Sequence, residues 1–199
     1  MFPLGTVLFP HNALPLHVFE PRYRHLVEAV LDGDRRFGVV LIERGSEVGG
    51  DDVRTDVGCL AEIREVQQFD DGRYALIAVG TDRIRVNTWL ADDPHPWADI
   101  EAWPHGPPEA SVADVEAVQR SLRRALALKA ELGEPAAPAT LELDATPEVI
   151  VDVAASLAPI GPLDKQALLG CPDRAARCAR LSGMLDDEIG VLEARIQML

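Results

Sequence analysis

Cysteine, lysine and aromatic residues are scarce in this chain, and long apolar runs are missing from it. The cysteines, Cys59, Cys171 and Cys178, are odd in number and lack CxxC spacing. They build neither a disulfide framework nor a zinc site, and read as buried, inert thiols of a reducing, cytoplasmic compartment. No apolar stretch approaches the roughly 20 residues of a membrane span, so no membrane partner is expected. The opening MFPLGTVLFP is apolar but has neither a basic start nor a small-residue cleavage site. It reads as a first strand rather than a leader.

The shortage of lysine bears on catalysis. Of 19 basic residues only Lys129 and Lys165 are lysines. A phosphate-binding loop needs a lysine after its glycines. Here GSEVGG at 45–50 is followed by Asp51 and Asp52, whose carboxylates would repel a triphosphate. A Ser–Lys dyad needs a lysine that sheds its proton. Lys129 lies on an amphipathic helical stretch, and Lys165 follows Asp164, which favours its charged form. No serine stands in GxSxG and no HExxH occurs. His11 and His17, either side of Pro15, read as surface or hydrogen-bonding residues. The expectation is no catalytic residue, no cofactor and no metal. A Ser-His-Asp triad assembled only by folding stays open.

What the chain does have is acid and apolar residues: a net charge of −14 and 47% apolar composition over 199 residues. Nucleic acid would be repelled in the mean, so none is expected as a partner. The length suits one large domain or two small lobes. The pattern divides. Up to about residue 104 it predicts short strands at 4–9, 37–43, 58–69, 73–80, 83–90 and 97–103. Asp70-Asp71-Gly72 joins two of them as a hairpin. In 83–90 alternation puts Ile84, Val86, Thr88 and Leu90 on one face and the arginines on the other. Residues 11–19, with Pro15 inside and Pro21 after, read as extended and irregular. One early helix starts near Pro21, with Tyr23, Leu26, Val27, Val30 and Leu31 on its apolar face, and ends at Asp32-Gly33. Such strands make a small barrel or a twisted open sheet.

The proline-rich PHGPPEA (104–110) then stops both helix and strand. Helices are predicted at 112–132, capped by Ser111, and at 147–157, capped by Thr146, with a short turn at 163–170. A last helix from Pro172 carries the near-heptad seam Cys178, Leu181, Leu185, Ile189, Leu192, Ile196 and Leu199. That seam packs either on helix 112–132 of the same chain or, as a homodimer through residues 178–199, on a second copy.

The segment FPLGTVLFPHNALPLHVFEPRY (2–23) carries a resemblance. Phe2-Pro3-Leu4, Phe9-Pro10, Leu14 to His17 and Phe19 to Tyr23 follow the opening pattern of the Lon N-terminal domain family, in particular its short bacterial members. Gly58, Ala61, Glu62, Ile63, the stretch DGRYALIAVGTDRIRV (71–86) and DKQALLG (164–170) are similar to later parts of the pattern. The resemblance implies an α+β chain: a PUA-like β-barrel lobe, taken as residues 1–106, followed by an α-helical bundle lobe, residues 107–199. It implies recognition of unfolded polypeptide or a partner protein, in the service of protein quality control, with ATPase and peptidase domains unmatched. Other PUA-like folds bind nucleic acid, an alternative that the acidic charge opposes.

The prolines at 10, 15 and 21 lack backbone donors, so their segment belongs at a rim or between lobes. Phe9, Phe19 and Tyr23 either pack the core or line an apolar groove for peptide. Glu20 and Arg22 form a local ion pair at the helix start or touch a peptide backbone. Trp89, like Trp97 and Trp103, is a further aromatic contact. The expected peptide-binding set is Phe9, Phe19, Glu20, Arg22, Tyr23 and Trp89.

Overall fold

The computed structural model describes residues 1–45, 47, 52–140, 143 and 145–198. They form two compact units, Met1–Pro104 and His105–Leu199.

In the first unit one mixed sheet holds β1 (Phe2–Leu4), β2 (Ala13–Val18), β3 (Arg36–Arg44), β4 (Val53–Gln68), β5 (Tyr74–Trp89) and β6 (Ala98–Ala102). The order is β1-β3-β4-β5-β2, and β6 also pairs with β5. Only β1 runs parallel to its neighbour, β3. Strands β4 and β5 are 16 residues each. Register shifts at Cys59/Ala61 and Ile63/Glu65 bend this long ribbon. Strand β5 therefore pairs with β2 along its first half and with β6 along its second. The sheet curls into a half-barrel whose rims are β1 and β2, each paired on one side only among the described residues. Helix α1 (Pro21–Leu31) buries Tyr23, Leu26 and Val27. These meet Phe2, Leu14, Val39, Ile63 and Leu76 in the core. Each such side chain contributes on the order of 1.5–3 kcal/mol.

Several strand expectations are corrected. The first strand is only Phe2–Leu4, not 4–9. Val7, Leu8 and Phe9 are buried without pairing in the sheet, because the chain leaves it at Gly5 and turns through His11, at φ 66°. Residues 11–19 are not irregular: they contain the regular strand β2, at a rim where Pro15 needs no partner on its outer side. The segments 73–80 and 83–90 are one strand, since Thr81 and Asp82 stay extended. Arg83 is buried rather than exposed, its guanidinium 4.2 Å from the Trp103 ring, which also takes Arg85. Stacking on an aromatic face makes burying that charge tolerable. The hairpin turn at Gly72 has φ 79°, closed by the Phe69 amide on the Arg73 carbonyl at 2.9 Å.

The second unit contains α2 (Val112–Glu131), α3 (Pro147–Leu157), α4 (Pro162–Leu169) and α5 (Arg174–Ile196). The Ser111 hydroxyl caps α2 by accepting the Asp114 amide at 3.2 Å. Asp173 caps α5 through the Ala176 amide at 2.7 Å. Thr146 stands at the start of α3 but makes no side-chain cap, contrary to expectation. Helices α2 and α5 pack together. Cys178, Leu181, Leu185, Ile189 and Leu192 are buried, as are Val115, Val118, Leu122 and Leu126 of α2. These five seam residues therefore take the intrachain one of the two expected packings, and Ile196 is only partly covered. The last member of the seam, Leu199, lies outside the described residues.

Arg177 ties this unit together. It is fully buried, ion-paired to Asp152 of α3, and donates from Nε to the Leu168 carbonyl (2.9 Å) and from Nη2 to the Leu169 carbonyl (3.1 Å). Those carbonyls end α4, where no further helical turn supplies donors. Burial pulls the guanidinium's pKa down, and the Asp152 carboxylate opposes that pull.

Candidate functional site

The rims of the half-barrel face each other across a cleft of about 180 Å³. Phe2 and Leu4 of β1 line one side and Pro15 to Val18 of β2 the other. Phe19, Glu20, Tyr23 and Glu47 complete it. Pro15, Leu16 and His17 continue into a shallower depression with Glu65, Val66, Ala75 and Ile77 on the outer sheet surface. The cleft has an apolar floor because β2 alternates: Leu14 and Val18 point inward and are buried, while Pro15 and His17 point out.

The apolar surface here is not all covered. Phe19 is 53% exposed, and Val66 and Ile77 are among the exposed large hydrophobic residues. The His17 ring lies edge-on between Phe19 (6.5 Å) and Phe69 (6.1 Å), forming an aromatic ridge along the rim. Phe19 thus leaves an aromatic face open to solvent at the rim.

Of the expected residues, four belong to the cleft. Phe19, Glu20 and Tyr23 line it. Arg22 braces it: its Nε meets Glu20 Oε2 at 3.2 Å, Nη2 donates to the Glu47 carbonyl at 3.0 Å, and its guanidinium sits 4.5 Å from the Tyr23 ring. Tyr23 stacks flat on Phe2, centroids 4.2 Å apart, and is buried, so it forms the floor rather than an exposed contact. Phe9 is withdrawn from the set: its exposure is 0%, out of reach of any ligand. Trp89 does not line the cleft. It packs on Arg54, 4.9 Å from the ring, and Arg54 bridges Asp52 (2.7 Å) and Asp92 (2.6 Å). Hydrogen bonding to Asp92 chiefly raises the Arg54 pKa, against burial. Burial pushes the Asp52 carboxyl up, but its bonds to Arg54 leave it below its ordinary value. Sequence reading missed Phe2, Pro15, Leu16, His17 and Phe69. Alternation along 13–18 was the available signal, hidden by the proline.

Burial pushes Tyr23 up to about 12, with Arg22 pulling back and Glu20 adding to the rise. Tyr74 is also raised, by burial and then by Glu28, whose carboxylate accepts its hydroxyl at 3.4 Å. A folded-state pKa above the unfolded value favours the protonated form. The stability this lends is present below about pH 10 and is lost as pH rises through about 12. An alkaline titration followed by phenolate absorbance is expected to show no Tyr23 ionisation at its ordinary pH, and cooperative unfolding as Tyr23 ionises. Ordinary titration of both tyrosines with the fold intact would contradict the packing of α1 on Phe2.

Groups that could perform chemistry are elsewhere and differently occupied. Lys165 donates to the Ser156 carbonyl rather than to a hydroxyl. Burial lowers its pKa, followed by the nearby Lys129, so the expected effect of Asp164 does not prevail. Among the described residues no group of three His, Cys, Asp or Glu could hold a metal ion. No described helix is long and apolar enough to cross a membrane.

Comparison with known proteins agrees with the geometry. The family described as the ATP-dependent protease La (LON) substrate-binding domain matches residues 1–187. "Lon protease 2" of Herpetosiphon aurantiacus is 30% identical over 196 residues, covering 96% of this chain. "Lon protease" of Koribacter versatilis is 26% identical over 196 residues, again covering 96% of the chain. The chain spans 24% of the length of each. The crystal structure of a Lon N-terminal domain protein from Xanthomonas campestris superposes with a TM-score of 0.64 at 25% identity, covering 90% of this chain and 94% of that one. The N-terminal domain of the Mycobacterium avium complex Lon protease shares the fold, with a TM-score of 0.60 at 16% identity over 94% of this chain and 96% of that one. This α+β chain, a curled mixed half-barrel followed by helices, belongs to the Lon substrate-binding domain family.

Proposed function

We propose that this chain recognises polypeptide through the rim cleft and performs no bond-breaking step with its own residues. One observation carries the reading. An open sheet rim stands beside a half-exposed aromatic ridge, Phe19, His17 and Phe69, over a cleft floored by Phe2 and Tyr23. Exposed apolar surface at a sheet rim suits extended, unfolded segments, which offer backbone groups and side chains together. The family's description, substrate binding, supports the same reading. The chain would then act as a holding or delivery module beside a protease.

The test is a titration of the chain with a fluorescently labelled, permanently unfolded model protein, followed by anisotropy. Saturable binding in the micromolar range is expected. Phe19→Asp should weaken it about tenfold or more by placing a charge on the ridge, consistent with the cost of losing an aromatic anchor. Because Phe19 is exposed, the variant's melting temperature should change little. Equal binding by the variant, or none by the parent chain, would overturn the reading.

A further inference from the structure

We infer that the occupant of the cleft is an extended segment that adds to β2 as a further strand and alternates apolar with basic side chains. The inference rests on the polypeptide-binding reading and specifies its mode and ligand chemistry.

The backbone argument starts from Gly80. Its amide donates to the Asn12 carbonyl at 2.9 Å, and its carbonyl accepts the His11 amide at 2.8 Å. Position 12 therefore bonds towards β5. Antiparallel ladders alternate, so positions 14, 16 and 18, opposite Ala78, Leu76 and Tyr74, bond the same way. Positions 13, 15 and 17 then turn their backbone groups outward. Pro15 occupies the middle outward position, where a missing N–H leaves no ladder bond unmade. The free edge thus offers donors at Ala13 and His17 and carbonyls at Ala13, Pro15 and His17. It is an incomplete edge, poor for casual sheet-to-sheet pairing, yet sufficient for a strand whose side chains are also held.

The side-chain argument concerns charge. Among the described residues the cleft and the adjoining depression are lined by Glu20, Glu47 and Glu65 and by no lysine or arginine; Arg73, 5.8 Å from the Phe69 ring at the end of the ridge, is paired with Asp71. Arg22 offsets Glu20 through their ion pair; Glu47, whose Oε1 accepts the Gly5 amide, lines the cleft, and Glu65 lines the depression. Residues 1–104 as a whole carry 18 acidic against 10 basic side chains. A segment crossing here sets every second side chain over the Phe2–Tyr23 floor and turns the alternate ones to the outer sheet face, the face that carries Glu65 beyond β2 and β5. Apolar residues suit the first set and lysine or arginine the second.

The experiment uses the full chain and nine-residue peptides alternating leucine with lysine, with glutamate or with serine. A scrambled leucine–lysine peptide and single N-methylations along the lysine peptide complete the set. The lysine peptide is expected to bind at least about tenfold tighter than the glutamate one, with the ratio shrinking as salt is raised. Glu65→Lys should narrow that ratio at least threefold. N-methylation should weaken binding at every second position only, the signature of strand pairing. Equal affinity for the acidic peptide, for the scrambled peptide, or a flat N-methyl scan overturns this inference while polypeptide binding itself stands. Failure of all peptides beside retained binding of the unfolded protein also overturns the strand mode. Failure of both overturns the functional reading as well. A concentration-dependent dimer that the lysine peptide dissolves would assign the edge to a second copy and contradict the inference.

Discussion

Replacing Arg177 with alanine is expected to destabilise the helical unit by about 3–5 kcal/mol, the cost of breaking a buried ion pair from one side. The side chain is fully buried, and its removal takes one donor from each of three acceptors: the Asp152 carboxylate and the carbonyls of Leu168 and Leu169. The expected loss is large because the removed donor neutralises a buried carboxylate. Much of the penalty comes from the carboxylate left behind. A double variant, Arg177→Met with Asp152→Leu, is therefore expected to recover part of the loss, although the carbonyls of Leu168 and Leu169 still lack the Arg177 donor. Urea denaturation followed by circular dichroism measures both. A single variant within 1 kcal/mol of the parent would show that Arg177 does not hold α3, α4 and α5 together. Arg177 lies outside the rim cleft, so loss of peptide binding by a folded variant would also be unexpected.

Gly80→Ala is the second large effect, in the other unit. A Cβ at position 80 would overlap the carbonyl oxygen of Phe9 and press on Cys59 Sγ at 3.0 Å. The Phe9 oxygen is backbone, in the short segment that leads over β5 into β2 and is bonded to Gly80 through the His11 amide and the Asn12 carbonyl. No rotamer change relieves the overlap, so the crossing itself must shift, at a cost of about 1–3 kcal/mol. The shift propagates to β2, which starts at Ala13. The variant is thus expected both to lose stability and to bind unfolded polypeptide more weakly. Unchanged urea midpoint and unchanged affinity would show that the 9–12 crossing does not position the rim.

The same glycine explains part of what was hard to read in the sequence. Helices were legible because their apolar residues recur on one face and their ends carry recognisable residues. Ser111 with Asp114, and Tyr23 through Leu31, are cases in point. The hairpin at Asp70–Gly72 was legible through its turn glycine. Strand β2 was not, because Pro15 looks like a strand breaker until its outward position at a rim is known. The continuity of β5 was hidden in the same way: Gly80 reads as a stop, yet it serves a close crossing in mid-strand. The buried Arg177 and Arg83 followed helix and strand periodicity poorly, since burial of a charge depends on partners distant in sequence.

For the site, aromatic character alone could not separate Phe9 and Tyr23 from Phe19. All three lie in one 15-residue stretch, but only Phe19 is half exposed. The ridge of Phe19, His17 and Phe69 joins residues 50 positions apart through the β2–β5–β4 pairing, a proximity that no local pattern carries.

Amide chemical-shift mapping tests the central claim most directly. The isotope-labelled chain is titrated with the unfolded model protein, and the perturbed amides are located. Binding at the rim predicts changes concentrated on Phe2, Leu4, Ala13 to Glu20 and Phe69 to Ile77, saturating together with the anisotropy signal. Perturbations confined to the helical unit, or to the Trp89–Arg54 clamp, would contradict it.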